Sequence, residues 1–247
     1  MNKVNTAIVL LGGKGIRLKP LTLSVNKHML SVYDRPLAQI AVDFLSELGI
    51  KRIIAVINKE DLSRYKRLFE VYKTKLKIEF VFQDAPLGTA HAVKLCEEKL
   101  KGENCFATYW GDNVFEFADK KLLQNRLGIN KAKIYITSVK DPENYGVIEL
   151  KDNVIISIED KPTNPRSSLI CVGFMLFNND VFNKIDKISQ NKKQEWDIMD
   201  AIRSFHKEGS LGYQAIKGKW FDAGVSVETL FKVSEFARKH KINKRNE

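Results

Sequence analysis

Ala7-Ile8-Val9-Leu10-Leu11 runs straight into Gly12-Gly13-Lys14-Gly15-Ile16-Arg17-Leu18-Lys19-Pro20-Leu21-Thr22, and the join between them decides how the chain is read. The apolar run reads as a buried strand. Three glycines within the next four residues bring bare backbone N–H groups close to whatever lies above the sheet, and glycine permits positive φ in the turn. Clustered N–H donors, with Lys14, Arg17 and Lys19 between them, make a nest suited to a phosphate chain. Two better-known phosphate loops do not fit. Gly, four residues, then Gly-Lys-Ser/Thr is absent, and a dinucleotide fingerprint needs glycine at position 18, which is leucine. The competing reading of residues 12–15 is a tight Gly-rich turn without a ligand. Arg17, Pro20, Leu21, Thr22 and Lys27 at their spacings favour a nucleotide-phosphate site.

Outward from this join, apolar runs alternate with helical patterns. Leu37, Ile40, Ala41, Phe44, Leu45 and Leu48 form one helical stripe, with Pro36 suited to its first turn and Gly49 to its stop. Arg52–Ile57 reads as a buried strand, Asp61–Tyr72 as a helix, Lys77–Gln83 as a strand, Thr89–Leu100 as a helix and Cys105–Gly111 as a strand. This βαβα order predicts an α/β fold with a mostly parallel, doubly wound sheet. In the second half Tyr145–Leu150, Asn153–Ile158 and Ile170–Phe177 read as strands of an antiparallel extension, followed by helices at about 196–208 and 226–240 that flank a segment at 211–222. No repeat, low-complexity tract or long linker divides the chain. One domain over 1–247 is expected, its N-terminal half binding nucleotide and its C-terminal half shaping a sugar pocket. Open α/β sheets bind ligands at the carboxyl ends of their strands, where the glycine loop, Gln83 and Asp112 fall.

Composition narrows the function. At 247 residues and 44% hydrophobic, the chain can bury a proper core, and it has no apolar run near membrane-spanning length and no signal-peptide pattern. Cys96, Cys105 and Cys171 are odd in number and lack Cys-x-x-Cys spacing, which predicts neither disulfides nor zinc and points to a reducing, cytoplasmic setting. The net charge of +11 is spread along the chain without an aromatic-interleaved stripe, so small polyanionic substrates are favoured over nucleic acid or a membrane. The densest basic run, Arg238-Lys239-His240-Lys241-Ile242-Asn243-Lys244-Arg245, reads as a solvated, frayed tail.

Two strand-end aspartates stand beside glycines, in Trp110-Gly111-Asp112-Asn113 and Trp220-Phe221-Asp222-Ala223-Gly224. Hard carboxylate oxygens suit Mg²⁺, although an Asp before Asn or Gly also commonly starts a turn. Gln83-Asp84-Ala85-Pro86-Leu87-Gly88-Thr89-Ala90-His91-Ala92 joins a strand to a helix. Gln83 there can pair donor and acceptor with a base edge, Gly88 lets a base approach the backbone, and Thr89 suits an N-cap. His91, inside that helix, reads as structural. Asp141-Pro142-Glu143-Asn144-Tyr145-Gly146-Val147 and Ile158-Glu159-Asp160-Lys161-Pro162 flank strands, and taken alone they also read as surface turns.

These segments, together with Asn26-Lys27-His28-Met29-Leu30 and Val32-Tyr33-Asp34-Arg35-Pro36-Leu37, resemble the sugar-phosphate nucleotidyltransferases over nearly the whole length. The Val-Tyr-Asp-basic-Pro stretch is most similar to the glucose-1-phosphate thymidylyltransferase branch. The resemblance implies a Rossmann-like nucleotide-diphospho-sugar transferase fold with a small antiparallel extension. It also implies nucleotide contacts from Leu11, Gly12, Gly13, Gly15, Gln83 and Gly88, and sugar-phosphate contacts from Gly146, Asp160 and Lys161. Asp112 and Asp222 would hold Mg²⁺. Glu195 and Asp200 match a helix-entry segment, where capping is the expected role.

Four positions depart from the pattern. Ile16 replaces a usual Thr, Asn26 and Ser31 stand where prolines are common, and Asp160 replaces Glu, its side chain shorter by one methylene. The implied reaction joins a nucleoside triphosphate and a sugar 1-phosphate, with release of pyrophosphate. Arg17, Lys27 and Asp112 carry it by positioning and charge neutralisation, without a general base. Arg17 and the loop amides are assigned to the departing phosphates, Lys27 to the α-phosphate and Lys161 to the sugar phosphate. The expected nucleotide is dTTP, with UTP the alternative, and the expected sugar phosphate is glucose 1-phosphate. A non-catalytic nucleotide-sugar-binding relative is the reading of a different class. Homo-oligomerisation is left open, and no nucleic-acid or membrane partner is expected.

Overall fold

The computed structural model describes residues 4–116, 118, 119, 121–124, 127, 130–191 and 195–240. The last part of the basic run, residues 241–245, lies outside them. Strand β1 (Thr6–Leu10) is the apolar run before the glycines and is buried along most of its length. A hairpin of β2 (Ser31–Val32) and β3 (Arg35–Pro36) turns at Tyr33, whose φ is 60°. Arg35 is buried there, held by Asp34 and Asp43 at 2.8 Å each. Helix α1 (Leu37–Leu48) buries the expected stripe. Gly49 ends it with φ 93°, its N–H donating to the Leu45 and Ser46 carbonyls, a conformation that favours glycine. Next come β4 (Arg52–Ile57), α2 (Leu62–Val71), β5 (Lys77–Phe82), α3 (Thr89–Lys94) and β6 (Phe106–Trp110), in the expected order.

Helix α3 is shorter than the expected Thr89–Leu100. Beyond Lys94 the backbone tightens into i→i−3 bonds, including Cys96 N–H to Val93 O at 3.0 Å and Leu100 N–H to Glu97 O at 3.0 Å. That path keeps both Cys96 and Leu100 in the core, so burial outweighs helix continuation.

The remaining elements are β7 (Asn113–Phe115), α4 (Lys121–Gln124), β8 (Ala132–Ser138), β9 (Gly146–Lys151), β10 (Val154–Asp160), β11 (Leu169–Phe177), α5 (Asp180–Asn191), α6 (Ile198–Lys207), β12 (Leu211–Ala215), β13 (Trp220–Asp222) and α7 (Val227–His240). Four were not anticipated: β7, α4, β8 and α5. In β8, Lys133 and Tyr135 are buried along with Ala132, Ile134 and Ile136, which hides the period-2 alternation of a half-exposed strand. Lys133 is accommodated by donating to Gln214 Oε1 at 2.8 Å, with its ammonium 5.5 Å from the Tyr135 ring centroid. In α5, Val181, Phe182 and Ile185 supply the buried face among many polar residues.

The chain divides into two compact units that are discontinuous in sequence. The first contains Met1–Pro86, Thr108–Arg126 and Gly218–Glu247. In it β1, β4 and β5 are parallel, with Ala7 opposite Ile53 and Ile54 opposite Glu79. Strands β7 and β13 pair antiparallel, and Val32, Leu37, Ile40, Val114, Leu230 and Val233 share a buried cluster. The second unit contains Leu87–Ala107 and Leu127–Lys217. There β9 and β10 form a hairpin around Asp152 and Asn153, both left-handed as a tight two-residue turn requires. Strand β8 pairs antiparallel with β11 and parallel with β12. Stacked Phe106 and Phe182, 5.6 Å apart, anchor its core. The architecture is mixed α/β, with the parallel and antiparallel parts in the expected halves of the strand order. Among the described residues no helix is long and apolar enough to cross a membrane.

Candidate active site

Leu11 leaves β1 with its N–H on the Val56 carbonyl at 2.8 Å, and the glycines follow. Only Gly15 uses left-handed backbone, φ 62°, to open the turn over Ile16–Leu18. The positive φ that glycine permits is thus used at Gly15 alone in this cluster, and Gly12 and Gly13 are needed for space. A Cβ on Gly13 would lie 2.7 Å from Lys27 Cε, and one on Gly12 would lie 3.3 Å from Asn58 Oδ1 and 3.7 Å from Gln83 Oε1. The Gln83 side chain thus reaches the start of the loop, as its place after β5 implies. Thr22 closes the loop, its hydroxyl donating to Gly15 O at 2.8 Å. Lys14 and Arg17 are exposed.

Beneath the loop lies a charged cluster. Strand β6 runs beside the end of β1, Gly111 N–H donating to Leu10 O at 3.1 Å, and delivers Asp112 there. Lys27 Nζ donates to Asp112 Oδ2 across a sequence separation of 85. Strand β13 delivers Asp222, whose Oδ1 accepts from Gly224 N–H at 2.9 Å. A Cβ on Gly224 would overlap Asp112 Oδ2 and lie 3.2 Å from Asp222 Oδ1, so both carboxylates face that glycine.

The electrostatics follow from this crowding. Burial alone would raise the Asp112 carboxyl, but the Lys27 ammonium overrides it and holds Asp112 below the usual carboxylate range. Burial likewise pulls Lys27 down, and Asp112 more than compensates. At Asp222 burial and then the neighbouring Asp112 charge push the carboxyl up, and the Gly224 N–H and the Lys27 and Arg17 charges offset this only in part. The Arg17 charge acts on both Lys27 and Asp222.

The donor set suits a hard divalent cation. Two carboxylates converge, and no cluster of three or more His, Cys, Asp or Glu occurs among the described residues. A cation here would complete its shell with phosphate oxygens and water, the habit of Mg²⁺.

The second unit holds the other candidates. Gly88, φ 100°, is where a Cβ would lie 2.5 Å from Trp196 O, so the Trp196 backbone takes the space that its missing side chain leaves. Trp196 N–H donates to Leu87 O at 2.7 Å, and Trp196 O accepts from Ala90 N–H at 2.9 Å. Thr89 is not the N-cap of α3. Its hydroxyl accepts from Ile198 N–H at 3.0 Å and reaches Asp197 Oδ1 at 3.4 Å, because the segment before α6 lies against it. His91, half-buried and edge-on to Trp196 at 5.3 Å, has its imidazole pKa lowered by burial, in keeping with a structural role.

Nor do Glu195 and Asp200 cap α6. Asp197 does, accepting from Met199 N–H at 3.0 Å, while Glu195 is exposed and Asp200 pairs with Arg203. Gly146 pairs with Asp160 across the β9–β10 hairpin, and Met199 Cε fills the space over Gly146. Burial, then Asp197, raises the Asp160 carboxyl against the opposing charges of Lys161 and Arg203. Lys161 adopts φ 46° with its N–H on Tyr145 O at 2.9 Å, a strained conformation for a residue with a side chain.

Asn58 and Tyr65 in the first unit are site neighbours that no motif indicated, while His28 there and Trp196, Asp197 and Met199 in this unit lie inside resembling segments without an assigned role. Each reaches its place through tertiary contact.

A glycine loop after the first strand of a parallel sheet, with cations and paired carboxylates at strand ends, defines a class: α/β proteins that take a nucleotide at the carboxyl edge of the sheet. Within that class the chain belongs to the nucleotidyl transferase family, whose model matches residues 6–240. It is 31% identical to a glucose-1-phosphate thymidylyltransferase of Neisseria meningitidis serogroup A / serotype 4A, over 94% of this chain and 82% of that protein. It is 30% identical to the bifunctional protein GlmU of Methanococcus maripaludis, over 94% of this chain but only 54% of the relative. Among solved structures, a Bacillus anthracis protein assigned as a glucose-1-phosphate thymidylyltransferase, in complex with sucrose, superposes with a TM-score of 0.89. That match has 31% identity and covers 94% of this chain and 95% of the other. A UDP-glucose pyrophosphorylase complexed with UDP-glucose shares the fold at a TM-score of 0.82 and 24% identity, over 96% and 99% of the two chains.

Proposed function

We propose that the chain transfers a nucleotidyl group from a nucleoside triphosphate to a sugar 1-phosphate, with dTTP as the favoured nucleotide, glucose 1-phosphate as the favoured acceptor and Mg²⁺ as the cofactor. The observation that carries this reading is the convergence of Lys27, Asp112 and Asp222 under the glycine loop. The attacking sugar-phosphate oxygen is already anionic, so the reaction needs positioning and charge neutralisation rather than a base. Arg17 and the amides of Gly12, Gly13 and Gly15 receive the leaving pyrophosphate. Lys27 serves the α-phosphate from its seat on Asp112. Lys161, Asp160 and the Gly146 backbone take the sugar phosphate. Asp112 and Asp222 would hold Mg²⁺, which when bound neutralises phosphate charge.

Gln83 supports a pyrimidine with a 4-keto group. Its amide can meet the O2/N3–H/O4 edge shared by thymine and uracil. The amine of cytosine would face a donor there, at a cost of about 1–3 kcal/mol. The cytoplasm is the proposed setting, in keeping with three buried cysteines, odd in number and without Cys-x-x-Cys spacing. The test is a matrix of triphosphates against sugar 1-phosphates with Mg²⁺, scored by pyrophosphate release. A dominant dTDP- or UDP-linked product is expected. A CDP- or purine-linked product overturns the Gln83 assignment, and no release with any pair replaces the enzyme with a nucleotide-sugar binder.

A further inference from the structure

The carbonyl of Leu11, the last residue before the glycines, receives three side-chain donors. They are His28 Nδ1 at 2.9 Å, the Tyr65 hydroxyl at 3.0 Å and Asn26 Nδ2 at 3.3 Å. A carbonyl oxygen has two lone pairs, so this one is saturated. Asn26 is the hub. Its Oδ1 accepts from His28 N–H at 2.9 Å and shares with Leu11 O the single protons of His28 Nδ1, at 3.0 Å, and the Tyr65 hydroxyl, at 3.3 Å, while Nδ2 also donates to Asp61 Oδ2 at 2.9 Å. Both partners of His28 Nδ1 are acceptors, which places the ring proton on that nitrogen. Asp61, itself buried, accepts further from Asn58 at 3.3 Å and Arg64 at 3.0 Å. The knot therefore grips the residues on either side of Lys27 and ties them to the start of the glycine loop. Between them the Lys27 side chain threads past Gly13 and Gly15, each of which would bring a Cβ within 2.7 Å of it.

We propose that Asn26, His28 and Tyr65 are positioning residues that fix the Leu11 carbonyl and hold Lys27 in register with the glycine loop for phosphate transfer. This rests on the nucleotidyl-transfer reading. None of the three touches the phosphates; they set where Lys27 and the loop amides stand before substrate arrives. A buried polar network of this kind is rigid only while every member is satisfied. Removing one donor should therefore loosen Lys27 without emptying the pocket.

The test uses Asn26→Ala, Tyr65→Phe and His28→Leu, with His28→Gln as the conservative variant that retains a donor for Leu11 O. Two quantities are read at a temperature where circular dichroism shows each variant folded. The first is kcat and KM for both substrates. The expected result is kcat lowered by about 10–100-fold in the three variants, the scale for losing an orienting outer-shell partner, with both KM values little changed and His28→Gln largely rescued. The second is the rate at which an amine-reactive acylating reagent labels Lys27, followed by peptide mass spectrometry. That rate should rise about tenfold or more in the same variants, since a lysine released from its buried partner becomes reachable. Unchanged labelling overturns the proposal, as does faster labelling with wild-type kcat or a loss confined to thermal stability. If the wild type itself shows no turnover, the functional reading fails, and the labelling still decides whether the knot holds Lys27.

Discussion

Asp112 and Asp222 differ in what surrounds them, and substitutions should expose that difference. Asp112→Asn removes both an anionic oxygen and the partner that keeps Lys27 charged in a buried place. Asp222→Asn removes a carboxylate that already repels its neighbour. Both should abolish most Mg²⁺-dependent turnover. Only Asp112→Asn should also destabilise the protein, by about 3–5 kcal/mol in urea unfolding, the scale for stranding a buried charge. Near-wild-type turnover of either variant at low Mg²⁺ would remove that residue from the metal site. Arg17→Ala should lower kcat by roughly 10²–10³, as for one preorganised charge-stabilising donor. Lys161→Ala should act chiefly on KM for the sugar phosphate, because its contact exists before and during the reaction; steady-state kinetics separate the two.

His28 gives a pH prediction. Burial first, then the Lys27 charge, holds its pKa at about 3 against an ordinary 6.5. The folded state therefore favours the neutral ring. The resulting stability is whole above the unfolded pKa, is lost as pH falls below it, and levels off under the folded value. By about pH 5 the loss should reach about 2 kcal/mol. Urea unfolding of the wild type and His28→Gln at pH 7.5 and pH 5 measures it, and equal pH dependence in the two would show that His28 is not the source.

At the scale of elements, local patterning set most boundaries. Strand β4 spans Arg52–Ile57 as its apolar run indicates, and α1 starts after Pro36 and stops at Gly49. The loop before α3 shows what patterning misses. Gly88 looks like a place where a ligand could approach, yet the Trp196 backbone occupies its Cβ position. Gly88→Ala should thus combine left-handed strain with overlap against a backbone, and lower stability by about 1–3 kcal/mol or more. Thermal unfolding would detect it, and an unchanged midpoint would mean that the 195–197 segment yields easily.

Across the whole molecule, the three cysteines all lie in the second unit and are at most 6% exposed. A thiol reagent should react slowly with the native protein and count three thiols only after denaturation. Its rate then reports opening of the second unit, whereas Trp110 and Trp220 fluorescence, read in a Trp196→Phe background that removes the second unit's tryptophan, reports the first. A fast-reacting native thiol would contradict the packing around Cys96, Cys105 or Cys171.

Local sequence determined the strand–loop–helix order, the place of the glycines after β1, and the arrival of Gln83, Asp112 and Asp222 at strand ends, because periodicity, caps and turn residues act over a few positions. It could not determine partners. Lys27 meets Asp112 at a separation of 85, and Ile198 meets Thr89 at 109. Such contacts form when sheet pairing closes long loops, and no window along the chain records them. The same holds for the glycines: their number was visible in sequence, but only the packing of Lys27, Trp196 and Met199 into the missing Cβ positions shows why Gly13, Gly88 and Gly146 must be bare.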